Sequence, residues 1–471
     1  MKRYYTIINY LLCSICLLWM TGCSGILDDM RPKDQIPQDM LSESDLEKLL
    51  NGVYAEMEEL VFKFYMDGDV KGENFKAGPG FSMNDPMLMA PSSKEVLSQW
   101  QKCFTALKQV NFLVETYEAS SNKESQVVKQ TGGTGYYFRA LIYYHLVTRW
   151  GGVPILRKRT YDVVPISPET EVWSFIKEDL AKAEGLLSDF TDRFYVSLSA
   201  CDALHAKVCL SLKDYTNAAA YADKVITKSN FALSTTSVEY AQAFVSNSSS
   251  KELVFALANK RSTSLLLFYQ TVNDIDPTWD YSPSTECYSH LYDDTAVKSK
   301  DIRAKAVFGA DNSRIIKFPN GSTGQFVTNE QPSQIPIVVT RVAEMYLIKA
   351  ECQARLGEYS RAMETVNALR AKRMVPGDWV ELKAGNVKEA VTKILQERRR
   401  EMPFSQRWFD MRRLNNNEET YDDVEIVTRK FYKINATTIF DKEEPITYTL
   451  EKNSRKYALP ISENEIEISD G

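Results

Sequence analysis

Along most of this chain apolar residues return every three or four positions, the period of a helix with one buried face. In "SESDLEKLLNGVYAEMEELVFKF" Leu46, Leu49, Leu50 and Tyr54 fall at that spacing, and Ser42 or Ser44 is placed to cap the first turn. "LSQWQKCFTALKQVNFLVETYEA" and "GYYFRALIYYHLVTRWGGVPI" predict two more helices, the second stopped by Gly151-Gly152 and Pro154. Another follows in "ILQERRREMPFSQRWFDMRRL". The stretch 67–86 is dense in Gly, Asp, Asn and Pro and reads as a long loop. From about 232 to 340 the helical period fades into Ser, Thr, Asn, Asp, Pro and aromatics, with short strand-like pieces such as "ELVFALA" and "RIIKFP". The tail "KYALPISENEIEIS" reads as extended.

Two helical segments repeat each other. In "ACDALHAKVCLSLKDYTNAAAYADKVI" and "RVAEMYLIKAECQARLGEYSRAMETVNALR", Ala206 matches Ala350, Tyr215 matches Tyr359 and Ala218 matches Ala362. A small residue in the first helix allows close approach, an aromatic packs at the turn, and an alanine opens the second helix. That is the pattern of a tetratricopeptide-like hairpin, which buries its faces only by stacking on neighbours. The loop-rich insert separates the two copies. The resulting expectation is a mainly helical protein with a scaffold of hairpins, a few short strands and a single domain over 41–471.

The chain opens on Lys2-Arg3 and an apolar run over 7–20. That run is shorter than the roughly 20 residues a spanning helix needs, so it reads as a secretory signal of residues 1–22. It ends in Met20-Thr21-Gly22-Cys23, which looks like a bacterial lipobox with Cys23 as the lipidated new N-terminus; leucine is the usual residue where Met20 stands. Several acyl chains, at about 0.8 kcal/mol per buried methylene, hold a protein on a membrane without a spanning helix. Residues 23–40 follow as an extended tether with two prolines and mixed charge.

The formal charge is −6, and loss of Lys2 and Arg3 with the leader makes it more negative still, so a basic footprint for nucleic acid is absent. Beyond Cys23 the body holds Cys103, Cys201, Cys209, Cys287 and Cys352, with no CxxC pair, and they read as buried thiols. The three histidines, His145, His205 and His290, are too few and too scattered for a histidine-rich metal site. No GxSxG elbow, phosphate loop or HExxH is present. No cofactor is expected; a structural calcium ion on Asp274 and Asp276 in "VNDIDP" is the one alternative weighed.

Several segments, in order and spacing, carry a resemblance: "CSGILDD", "DLEKLLNGVYAEM", "FRALIYYHLVTRWGGVPI", the two hairpin segments, "ILQERRREMPFSQRWFDMRR" and "YALPISENEI". Together they resemble the SusD/RagB family of outer-membrane nutrient-binding lipoproteins of Bacteroidetes. One departure stands out. Where the family has a Phe-Glu-Gly turn before Arg-Trp, this chain has Phe404-Ser405-Gln406 before Arg407-Trp408, while Glu397, Arg398, Glu401 and Arg412 keep the charged helix recognisable. The resemblance implies four tetratricopeptide-like units under a loop-rich face, docking as a lid on a SusC-like TonB-dependent barrel, and uptake of glycans or other nutrients. It also implies that the tether after Cys23 directs surface exposure.

Residue chemistry agrees with that role. Sugar faces are partly apolar, so Trp and Tyr rings offer rigid contact at low entropy cost, while Asp, Asn and Arg bond the hydroxyls. The loop at 67–86 offers Asp67, Asp69 and Asn74, the next helix begins near Trp100, and the insert offers Trp279, Tyr281, Tyr288 and Tyr292. For each ring the alternative is a place in the core, most of all for Trp100. Trp279 and Tyr281 lead, because Pro277 and Pro283 bracket them in a loop. The arginines 398–400 and Arg412-Arg413 read as a salt-bridged, solvated face, with an anion site as the lesser alternative. The rivals to a binder are a glycan-degrading enzyme using paired carboxylates and a helical-repeat adaptor for proteins. An adaptor has no use for the aromatic insert.

Overall fold

A computed structural model describes residues 41–72, 74–77, 90–245, 248–259, 281–283, 287, 299–308, 335–403, 407–415, 427–431, 446–450 and 457–461. Helices dominate: α1 (Glu43–Lys71), α2 (Lys94–Ala119), α3 (Gln126–Trp150), α4 (Glu169–Glu184), α5 (Leu198–Ser211) and α6 (Tyr215–Ile226) come first. After the short α7 (Ser237–Ala241) and α8 (Ile302–Val307) come α9 (Val342–Arg355), α10 (Tyr359–Arg370), α11 (Val387–Glu401) and α12 (Arg407–Asn415). From α1 to α6 each helix packs on the one before it; α9 then packs on α6, α10 on α9, and α11 on both α9 and α10. The two copies of the repeat, α5–α6 and α9–α10, are therefore neighbours in space, and the insert leaves and re-enters the stack between them.

The copies share their turn as well as their lengths. Asp214 N donates to Cys209 O (2.8 Å) and Glu358 N to Gln353 O (2.9 Å), a Schellman closure in both. The residue before each sits at positive φ, Gly357 at 87° and Lys213 at 61°. A side chain in that region costs about 1 kcal/mol or more. Lys213→Gly is accordingly expected to stabilise the protein by up to about 1 kcal/mol in urea unfolding, and Gly357→Ala to cost about as much; shifts of the opposite sign would refute the shared turn. Ala206, Ala218, Ala350 and Ala362 are all buried, as close helix approach demands.

Several element boundaries differ from the sequence reading; the helix expected over "ILQERRREMPFSQRWFDMRRL" is two, α11 ending at Glu401 and α12 starting at Arg407. α1 runs on to Lys71, through Asp67, Gly68 and Asp69, which the sequence placed in a loop. Its preceding turns bury Leu60, Val61, Phe62 and Phe64, and that packing outweighs the roughly 1 kcal/mol an internal glycine costs. α3 begins at Gln126, taking in Gly132, Gly133 and Gly135. These are contact glycines: a Cβ on Gly132 would lie 2.3 Å from the Tyr117 ring, and one on Gly133 2.8 Å from Leu187.

Among the described residues, four two-stranded sheets complete the fold. β2 (Val153–Pro154) pairs with β3 (Ile166–Ser167), and β7 (Val427–Phe431) with β8 (Ile446–Leu450). β4 (Leu253–Leu257), the expected "ELVFALA" strand, pairs antiparallel with β6 (Ile337–Arg341), Leu257 facing Ile337. This pair closes the base of the insert; "RIIKFP" lies outside the described residues. The tail is pinned to the end of α3, with Leu459 N donating to Arg149 O (2.8 Å) and Trp150 Nε1 to Pro460 O (3.1 Å).

Candidate functional site

Besides the α8 region, where Asp301 bridges Met374, the described part of the insert returns to the scaffold at a short ribbon. β5 (Tyr281–Pro283) pairs antiparallel with β1 (Phe75–Ala77), in the register Phe75–Pro283, Lys76–Ser282 and Ala77–Tyr281. Two segments nominated separately from the sequence, one ending α1 and the other in the insert, are thus hydrogen-bonded side by side. The ribbon has a root and a tip. At the root, next to Phe75 and Pro283, Asn74 and the nearby Cys287 are buried. At the tip Tyr281 stands opposite Ala77, so the chain that precedes Tyr281 and the chain that follows Ala77 both start from the end remote from the buried anchor.

The remaining nominated residues divide clearly. Asp67 and Asp69 are in the last turns of α1, and Asn74 belongs to the buried root instead of an open loop. Trp100 is 1% exposed, its ring edge-on to Trp150 (5.4 Å) and tilted against Phe104 (4.9 Å). It is a core residue, placed inward by helical spacing, and is removed from the ligand-facing set. Trp279, Tyr288 and Tyr292, like Asp274, Asp276, Cys23 and the turn 404–406, lie outside the described residues. The pairing itself was illegible beforehand, because three-residue strands carry too few positions for a period of two.

The arginine-rich helix is salt-bridged, as expected, but it is not solvated. Glu401, fully buried, accepts from Arg341 Nη1 (2.7 Å), Arg303 Nη1 (3.0 Å), Arg373 Nε (2.8 Å) and Arg373 Nη2 (3.0 Å). Arg398 bonds Asp410 (2.6 Å) and Glu344 (3.0 Å), and Arg413 grips Glu351 with two bonds of 2.8 Å. Burial would raise these carboxyls, yet Lys207 with Arg398 at Glu344, and the surrounding guanidiniums at Glu351, Glu397, Glu401 and Asp410, hold them below the usual range. The carboxylates that neutralise the helix come from distant segments, which a local sequence window does not show.

Two histidines are packing groups. His145 stacks on Phe64 (4.2 Å) and His205 on Tyr221 (4.3 Å). Burial pushes both pKa values down; Arg149 and Lys207 push His145 further, while Glu184 opposes the shift at His205. The unfolded chain takes up these protons near pH 6.5 and the folded chain resists them, so their stability contribution is complete above that pH and declines below it. Urea midpoints are expected to fall between pH 7.5 and 5.5 by the equivalent of about 1 kcal/mol or more. A flat profile would show that the rings are protonated in place. Among the described residues no group of three or more His, Cys, Asp or Glu could hold a metal ion. The five body cysteines are buried thiols.

Among the described residues, too, no helix is long and apolar enough to cross a membrane. A family model described as "SusD family" matches residues 269–471, and one described as "Starch-binding associating with outer membrane" matches 26–210. The chain belongs to the SusD/RagB family. SusD-like protein P38 of Formosa agariphila is 22% identical over 490 residues, covering 91% of this chain and 95% of that one. A SusD superfamily protein from Bacteroides thetaiotaomicron shares the fold at a TM-score of 0.72 and 18% identity, covering 91% and 98% of the two chains. Another structure, described with a xylogluco-oligosaccharide, superposes at a TM-score of 0.68 with 18% identity over 90% and 97%. The helix-rich architecture with few, short strands is thus the SusD one.

Proposed function

We propose that this SusD-like chain is a non-catalytic lipoprotein, anchored through Cys23 in the outer membrane and exposed at the cell surface, that captures an oligosaccharide and delivers it to a SusC-like TonB-dependent barrel. The observation that carries the reading is the β1–β5 ribbon, which joins the two segments whose aromatic and polar residues suit a sugar and sets Tyr281 at the end away from the buried root. Short segments hydrogen-bonded to each other on a rigid helical stack are the arrangement that keeps a binding surface preorganised. The outer-membrane starch-binding description of the family model and the oligosaccharide carried by one structural relative support the ligand class.

Incubation of the purified protein with a panel of glycans tests the reading. Retention on glycan-containing affinity gels without depletion of free glycan is expected. Turnover by protein free of contaminating hydrolase would overturn the non-catalytic claim. Cys23→Ala is expected to release the protein from the membrane fraction, and continued attachment would place the anchor elsewhere.

A further inference from the structure

A cavity of about 170 Å³ opens among α3, α4, α5, α9, α11 and α12, and none of the ribbon's residues lines it. Its size suits one six-membered ring, since a cavity of about 150 Å³ takes up benzene. Its wall combines ring faces, Trp173, Tyr144 and Phe409, with the hydroxyls of Thr148 and Ser211 and with the guanidinium of Arg412.

Arg412 differs from most of the buried arginines; Arg149, for its part, bonds His145 and Phe64 O and lies over the Phe64 and Phe409 rings. Arg139, Arg303, Arg341, Arg373, Arg398 and Arg413 each hold a carboxylate at 2.8 Å or closer. Arg412, with a side chain 9% exposed, has Glu169 at 3.7 Å, on a carboxylate that is 48% exposed. Its Nη1 donates to Val147 O (2.8 Å), and burial lowers its pKa because so little negative charge compensates. The other acids of the wall are spoken for: Glu344 by Lys207 (2.8 Å) and Arg398, Asp410 by Arg398 and Arg413. Glu169 is tied through Trp173 Nε1 (3.2 Å). Gly151, at φ 84°, keeps the approach open, because a Cβ there would stand 3.1 Å from Glu169 Oε2 and 3.6 Å from Arg412 Nη2.

We propose that this cavity binds a single sugar-acid ring, a hexuronate, with its carboxylate on Arg412, its ring against the aromatic wall and Glu169 displaced toward solvent. A carboxylate on guanidinium supplies a charge-assisted bond stronger than the long pair it replaces. Glu169 is a competitor in this arrangement, so removing its charge should help the ligand. The site stands apart from glycan capture at the ribbon, and either can fail alone.

Calorimetric titration of the mature protein with sodium glucuronate, glucose and benzoate separates the outcomes. Glucuronate is expected to bind with a Kd on the order of 1 mM or tighter, and glucose and benzoate at least about tenfold more weakly. Glu169→Gln should tighten glucuronate binding several-fold, and Arg412→Gln should weaken it about tenfold or more. Glu169 is half exposed, so its variant is readable even if Arg412→Gln fails to fold. No heat with glucuronate, equal binding of glucose, equal binding of benzoate, or weaker binding to Glu169→Gln would each overturn the assignment.

Discussion

Glu401→Gln is expected to cost about 3–5 kcal/mol of folding stability. The single carboxylate faces Arg303, Arg341 and Arg373, all fully buried, and each of those side chains comes from a different part of the chain. A neutral amide in its place leaves three guanidiniums out of water with less compensating charge, and that desolvation cost, not the loss of any one hydrogen bond, sets the size of the effect. The control lies on the same helix. Glu389 pairs with Lys393 and accepts from Gly385 N at the surface, and Glu389→Gln, whose amide oxygen can still accept that bond, should leave stability nearly unchanged. Urea unfolding of both variants decides the matter; similar small losses would mean that the buried amide finds equivalent partners. Acid acts in the same direction. These depressed carboxylates contribute stability above the unfolded value near 4, and the contribution disappears as pH falls through their folded values.

Simultaneous Trp279→Ala and Tyr281→Ala substitution is expected to weaken glycan binding by at least about 100-fold, because a few rings carry most of the energy of such contacts. Tyr281 ends the ribbon opposite Ala77, and Trp279 precedes it by two residues in the sequence. Thermal melting should move by only a few degrees. Trp100→Ala should behave oppositely: its buried indole makes the change a cavity costing about 3–5 kcal/mol, while the folded fraction keeps its affinity. A large stability loss in the double variant, or lost affinity in folded Trp100→Ala, would reverse the assignments.

These contrasts show where the sequence was readable. Helical spacing of Leu46, Leu49, Leu50 and Tyr54, and the alanines repeated between α5–α6 and α9–α10, are local signals written by the faces they bury, so the scaffold was legible. Trp100 was ambiguous because its own segment does not say which helix will cover it. The charge cluster was harder: the run 398–400 looks solvated until Glu344 and Asp410 arrive from elsewhere. Glycines 132, 133 and 135 resemble a loop until Tyr117 and Leu187 supply the close neighbours that require them. Each miss concerns a partner remote in sequence.

The β4–β6 pair carries one consequence for how such a protein can change. Its strands end with Leu257 opposite Ile337, so everything from 258 to 336 begins and finishes at adjoining points on the stack. Loop closure grows only slowly with length, by about 0.6 kcal/mol per doubling, so the stretches between its anchored pieces, β5 and the Asp301–Phe308 segment that carries Arg303 to Glu401, can lengthen or shorten at little thermodynamic cost. The helical hairpins on either side would still meet through α6 and α9. The chain is in effect a fixed socket whose inserted segment is fastened at a few points, and new ligand preferences can be acquired between those points without redesigning what holds them.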